Sequence, residues 1–163
     1  MPPAEEDKSV GRRRKDVVSR LRVSRNEPPV VTLVIDADRR HHSFITTWAD
    51  AVRSHRGGEA LLREVAPEGI AVYLASPWAV TETYFIEVET AVVGFALVRD
   101  GVLLAMSLQP DYRRQGIGTR ALAALAERGV DVIDAYALPG DRGTKSLFES
   151  IGWKARLLTM RKT

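Results

Sequence analysis

After Pro28-Pro29 the run Val30 to Ile35 is almost wholly β-branched, and it predicts a first strand. Phe44, Trp48 and Val52 then recur every four residues, the spacing of one helix face, in a segment that ends before Gly57-Gly58. Glu59 to Val65 continues as a second helix stopped by Pro67. Ile70 to Ser76 shows apolar residues without alternation, which fits a buried strand or a helical turn equally, so 66–83 stays open. Tyr84 to Glu89 and Ala91 to Arg99 read as a hairpin, and Asp100-Gly101 supplies a tight turn into a third strand, Val102 to Leu108. A helix follows over Thr119 to Arg128, with Ala121, Leu122 and Leu125 toward the sheet and Gly129 placed to end it. Val130 to Ala137 is then a strand parallel to the one before the helix, closing a βαβ crossover. The fold class is α/β in the α+β sense: a mixed, mostly antiparallel central sheet flanked by helices.

The segment Arg113-Arg114-Gln115-Gly116-Ile117-Gly118-Thr119 joins that third strand to the helix. Glycines let backbone approach a ligand closely, and a helix start presents unpaired N–H groups and partial positive charge, so this turn is suited to phosphate. Arg113 and Arg114 add fixed charge. The letters Gly116 to Ala121 also spell G-x-G-x-x-A, with Asp134 near the place of a ribose-binding acid. A dinucleotide fingerprint, however, needs its first glycine at the strand end, and here Gln109 to Gln115 intervenes after strands that read as antiparallel.

Arg113, Gly116 and Gly118 match R/Q-x-x-G-x-G/A, and Leu147-Phe148-Glu149-Ser150-Ile151-Gly152-Trp153 is similar to L-Y-E-x-x-G-F. On these two motifs, in this order, the chain resembles the GNAT superfamily of acyl-CoA-dependent N-acyltransferases, over about Tyr84 to the C-terminus. The resemblance implies an acetyl group passing directly from acetyl-CoA to a primary amine. It places the pantetheine arm along the backbone of Met106, Ser107 and Leu108, and the pyrophosphate on the N–H groups from Arg114 through Thr119. It puts Asp141 where the family has an asparagine near the cofactor, and offers Arg142 or Lys145 to the CoA phosphates. It also implies that the strand entering the turn splays from Val130 to Ala137 to make a slot for the thioester.

Direct transfer needs a neutral amine, a polarised carbonyl and a proton for the leaving thiolate. The family's proton-donating tyrosine corresponds to Phe148, which has no proton to give, and Val102 to Met106 lacks the acid often found there. Asp134 and Tyr136, two apart on the strand flanking the slot, are the catalytic candidates for base and acid, with Glu87 behind them. The missing tyrosine and acid equally suit a non-catalytic acyl-CoA-binding or regulatory domain. His41-His42 lies near Asp36 and Asp38 without a recognisable ligand spacing, so no metal is expected. Gly140 to Ser146 lacks the P-loop spacing, and Trp48, Trp78 and Trp153 are expected in the core.

Composition narrows the class. The chain has 163 residues, 45% hydrophobic, enough for one core, with no apolar run of membrane-spanning length and no secretory signal pattern, so a cytoplasmic protein is expected. Having no cysteine, it has no disulfide and no thiol nucleophile. Residues 1–25 hold eight Lys/Arg against four acids, a net +4, which leaves 16 against 17 in the remainder. The reading is therefore a basic arm over 1–27, either irregular or a short docking helix around Val17, Val18 and Leu21, ahead of an acyltransferase domain over 28–163. After Gly152 only Trp153 to Met160 suffices for a strand, where family members commonly have two, so a shortened C-terminal strand region is expected. That leaves the acceptor slot open or completed by a second subunit in a homodimer. An open slot beside a basic arm favours an amine-bearing acceptor that is large and anionic, carried on protein or nucleic acid.

Overall fold

Strand β3 (Ala91–Arg99) is buried continuously from Val93 to Val98, so it must lie at the middle of a sheet covered on both faces. The computed structural model describes residues 27–156 and residue 160. Around β3 run β1 (Val31–Val34), β2 (Thr83–Val88), β4 (Val102–Leu108) and β5 (Asp134–Ala135), in the spatial order β1-β2-β3-β4-β5. The first four are mutually antiparallel and β5 joins β4 in parallel. Helices α1 (His42–Arg53), α2 (Gly58–Val65), α3 (Ile70–Ala75) and α4 (Trp78–Glu82) fill the connection from β1 to β2; α5 (Ile117–Glu127) and α6 (Arg142–Ser150) follow β4 and β5.

The two faces have separate cores. Ile45, Val52, Leu62 and Val65 pack on Phe85, Phe95 and Leu97 on one side, and Ile117, Ala121, Leu125 and Phe148 pack on Ile86, Ala96 and Leu103 on the other. Alternation along β3 divides Phe95 and Leu97 from Ala96 and Val98, as a pleated strand requires.

The open segment 66–83 resolves into two short helices. Ile70, Tyr73 and Leu74 sit at helical spacing and turn toward the first core. Their continuous apolar character reflects an exposed side as well: Val72 and Trp78 stay open to solvent, which corrects the expectation that Trp78 fills the core. A polar network ties these pieces together. Arg99 on β3 makes a two-pronged pair with Glu82, Nε to Oε1 and Nη2 to Oε2 both at 2.8 Å, and donates to the carbonyls of Glu64 and Val65 at the end of α2. Tyr73 donates its hydroxyl to Glu82 at 2.9 Å, and burial, then this contact with Glu82, push the phenol well above its ordinary pKa. The Arg99 guanidinium also lies 5.8 Å from the Tyr73 ring centre.

The hairpin turns carry the left-handed backbone that two-residue loops demand: Asp100 and Gly101 at φ +52° and +76°, Glu89 and Thr90 at +50° and +71°. Thr90 is the costly one, being β-branched. The expected strand Val130 to Ala137 pairs only over Asp134–Ala135. Trp153 to Arg156 has no regular structure, so the described part of the expected last strand is not one; residues 157–159 and the arm over 1–26 lie outside the described residues.

Two consequences can be measured. Arg99→Met strips Glu82 of its charge partner and α2 of its C-terminal donors, and should cost about 2–4 kcal/mol in urea unfolding, since breaking a largely buried pair leaves the survivor uncompensated. Thr90→Gly relieves the left-handed strain and should raise the unfolding free energy by about 0.5–1 kcal/mol, seen as a higher urea midpoint with an unchanged slope.

Candidate active site

Pairing between β4 and β5 stops almost as soon as it begins. Gly101 accepts from the N–H groups of Ile133 and Asp134, Leu103 accepts from Tyr136 at 3.0 Å, and no later β4 residue bonds to β5 among the described residues. The chain leaves the sheet after Tyr136, three residues ahead of Pro139. The last three residues of β4, Met106 to Leu108, are consequently half-buried, with an open flank where a sixth row of backbone could lie.

Beyond Leu108 the chain forms a single 3-10 turn, Pro110–Tyr112, and is pinned back on itself. Arg113 donates from Nε to the carbonyl of Leu108 at 2.9 Å, and Gln115 donates its side-chain amide to the carbonyl of Asp111 at 2.7 Å. Arg114 at φ +60° and Gly116 at φ +76° then reverse the chain into α5. The first hydrogen bond of the helix is Arg120 N–H to Gly116 carbonyl, and the N–H groups from Arg114 through Thr119 have no acceptor among the described residues. Space beside Gly116 is open to 4 Å. Gly118 differs: a Cβ there would come within 3.1 Å of Leu147 on α6, so it is small because two helices meet at it.

This turn faces a cleft of about 1110 Å³. Its walls are the end of β4 (Met106 to Leu108), the turn with Arg113, Arg114, Gly116, Gly118 and Thr119, and the start of α6 with Asp141 and Arg142. Orphan N–H groups at one helix start, a second helix start beside it and three arginines fit a diphosphate ligand. Asp141, however, is the N-cap of α6, accepting from the Thr144 N–H at 3.0 Å and the Thr144 hydroxyl at 2.7 Å, so its carboxylate is already engaged.

The remaining expected site residues scatter. Lys145 points along α6 to Glu149 at 3.6 Å and is not on the cleft wall, whereas Arg142 is. Gln115 braces the turn, and Ile117 is fully buried in the second core. Asp134 and Tyr136, the candidate base and acid, stand opposite the beginning of β4, at Val102 and Leu103, and do not line the cleft. The reason is register: the short ladder fixes them at the closed end of the splay. Phe148 turns to the second core and stacks on Trp153, ring centres 5.1 Å apart, while Leu147 beside it reaches the cleft. Glu87 lies on β2 between Thr32 and Val92, likewise off the cleft. The His41-His42 pair serves the start of α1: Asp36 accepts the His41 backbone N–H at 2.6 Å. Burial acts against the Asp36 charge, yet the backbone N–H groups of His41 and Arg40 outweigh it and hold its pKa below the usual value. Burial lowers the pKa of His42 in turn, against the pull of Asp36.

What the sequence reading missed is a whole wall. Ser43, Thr47, Ala51 and His55 follow one another every four residues along α1 and its C-terminal turn, and line the cleft opposite the glycine turn. Phe44, Trp48 and Val52, one position further on, form the floor. The signal was present as a polar row adjoining the apolar stripe, but a polar row on a helix ordinarily faces solvent.

Comparison with known proteins agrees with this architecture. No curated protein matches the chain. Among solved structures, a ribosomal-protein-alanine N-acetyltransferase from Brucella melitensis biovar Abortus 2308 is 16% identical, with 84% of this chain and 99% of that one covered at a TM-score of 0.50. The aminoglycoside N-acetyltransferase AAC(6')-Iy in complex with CoA is 14% identical, with 82% and 93% covered and the same TM-score. These likenesses concern the fold. Residues 59–153, more than half of the chain, match the model of the acetyltransferase (GNAT) family, and the chain belongs to that family.

Proposed function

We propose that this acetyltransferase holds acetyl-CoA in the cleft between β4 and α6 and passes the acetyl group directly to a primary amine entering from the α1 side. The observation that carries the reading is the row of unpaired N–H groups from Arg114 through Thr119 opening onto a cleft with Arg113, Arg114 and Arg142 on its wall. Diphosphate at that row would be met by backbone donors, a helix dipole and fixed charge together. The free flank of Met106, Ser107 and Leu108 offers main-chain groups to an amide-bearing arm, in the manner of an added strand. Bound there, acetyl-CoA supplies the activated carbonyl. The chain's own share is to fix that carbonyl where β4 and β5 part and to exclude competing water with the apolar floor of Phe44, Trp48 and Leu147.

Removing the charges should be visible without any acceptor. Arg114→Gly keeps the left-handed backbone while deleting a guanidinium, and Arg142→Ala deletes the one at the start of α6. Each should weaken CoA binding about five- to twentyfold by isothermal titration, and flatten its dependence on salt. Affinity unchanged in both variants would refute the placement of the diphosphate.

The acceptor reading follows from charge. The cleft wall carries three arginines and a single carboxylate, Asp141, which is engaged by Thr144, and residues 1–25 add a net +4. A polycationic acceptor would meet repulsion there, and an amine carried on an anionic body would meet attraction. We therefore read 1–27 as an arm that recruits the acceptor to the domain over 28–163. A panel of 2-phenylethylamine, an aminoglycoside, an acidic peptide with a free N-terminus and an amine-tailed oligonucleotide should show the aminoglycoside slowest. Deleting residues 1–25 should raise KM for the anionic acceptors in a salt-sensitive way and leave CoA binding intact. Equal rates for full-length and truncated protein, indifferent to salt, would remove the arm from the reaction.

A further inference from the structure

Acetyl transfer to an amine has a proton problem that the cleft must solve. An alkylamine is an ammonium ion at neutral pH and cannot attack until it loses a proton. Asp134 and Tyr136 are at the closed end of the splay, so they do not answer the need.

Two side chains on the cleft wall have an atom that can accept a proton from an amine, Asp141 and His55. Asp141 spends both oxygens on Thr144. His55 is different in each respect. It is exposed, its backbone N–H is used by Val52 at 2.9 Å, and its imidazole has no hydrogen-bond partner among the described residues. It stands at the end of the Ser43, Thr47, Ala51 row, a file of small side chains that leaves the space in front of it clear.

Its position is fixed by the turn that carries it. The α1–α2 turn passes so close to the end of the β5 segment that a Cβ on Gly57 would lie 3.3 Å from Pro139 Cδ and 3.7 Å from Leu138 Cδ2. Leu138 and Pro139 are the residues at which the chain has parted from β4. That proximity puts the turn carrying His55 beside Leu138 and Pro139, and all three line the cleft. The charged groups on the cleft wall are Arg113, Arg114, Asp141 and Arg142; on its own turn, Arg56 flanks it and Arg53 is tied to Asp50 and Glu59. No free carboxylate competes with it for the ammonium proton among these groups.

We infer that His55 is the general base of the reaction, taking one proton from the acceptor ammonium and passing it to solvent. This rests on the proposed transfer of acetyl to an amine. The balance closes without another reagent. The ammonium gives its first proton to the His55 imidazole, the amine nitrogen bonds to the acetyl carbonyl carbon, and the carbon–sulfur bond breaks. A second nitrogen-bound proton ends on the departing sulfur as the CoA thiol, and the imidazolium returns its proton to water. An exposed imidazole suits that last step better than a buried one.

The test compares wild type with His55→Gln on the fastest acceptor of the panel above. The variant should keep CoA affinity and melting temperature, lose about 10- to 100-fold in kcat/KM, and lose the acidic break in its pH profile, rising instead with pH as free amine accumulates. Trifluoroethylamine, already unprotonated at neutral pH, should narrow the gap between variant and wild type to within about threefold. With three histidines in the chain, the His55 ring signal can be followed by NMR, and its titration should coincide with the kinetic break. An unchanged pH profile in His55→Gln, or an equal loss of rate with trifluoroethylamine, would overturn the assignment while leaving the acetyltransferase reading in place. Absence of acetyl transfer by the wild type to every member of the panel would overturn both.

Discussion

The brevity of the β4–β5 ladder governs the molecule. Two parallel strands joined through a helix would ordinarily stay paired along their length, and here they part after Leu103 and Tyr136. Everything the cleft offers follows from that parting: the free flank of Met106 to Leu108, the position of the glycine turn at the far end of β4, and a gap into which α1 can present its side. The separation is held open rather than left loose. Arg113 ties the turn to the last β4 carbonyl, Leu138 and Pro139 have left the sheet on the other strand to line the cleft, and the Gly57 backbone lies close beside Pro139. Each of these is a local device, and all act on the same opening.

The sheet is also the boundary between two jobs. On one face the Arg99, Glu82 and Tyr73 network gathers α2, α3, α4 and β3 around a charged pair screened from water. On the other, α5 and α6 pack with plain apolar contacts, and Arg128 reaches from the end of α5 to the Leu33 carbonyl on β1. The helices that carry the ligand-facing ends are thus seated on hydrophobic area, as is α1 through Ile45, Ala49 and Val52, while α2, α3 and α4 are joined by a polar clasp. Area is non-directional and a clasp fixes orientation, so the short helices between α1 and β2 are the ones whose orientation is set by directed bonds.

Much of this was legible in the chain. Strands with turn residues at both ends, β3 and β4 above all, announced themselves, because Asp100-Gly101 leaves few other conformations. The turn at Arg113 to Thr119 was legible for the same reason: glycine and arginine at a strand-to-helix junction carry a mechanism. Where the reading went astray, the deciding quantity was a tertiary one. Val130 to Ala137 reads as a strand in sequence, and only its tertiary pairing with β4 limits it to Asp134–Ala135. Asp134 and Tyr136 share a face in sequence but stand at the wrong end of the ladder, a displacement that no periodicity reports. Trp78 is apolar by composition and lies on a short helix with its ring outward. The row ending at His55 looked like an ordinary solvent face, and became a wall only because Pro139 comes across to meet the turn beside it.

The meeting of Gly118 with Leu147 joins the two family motifs in space. One begins α5 and the other lies on α6, far apart along the chain, yet a methyl group on the first would press on the second. The motifs are therefore not two independent signatures but two sides of one close helix-to-helix approach. A larger residue at 118 requires the Leu147 side chain to give way, and a shift of α6 to make room would carry Asp141 and Arg142 with it. Spacing between the helices, set by that single missing side chain, is in this way also the gauge of the cleft's width.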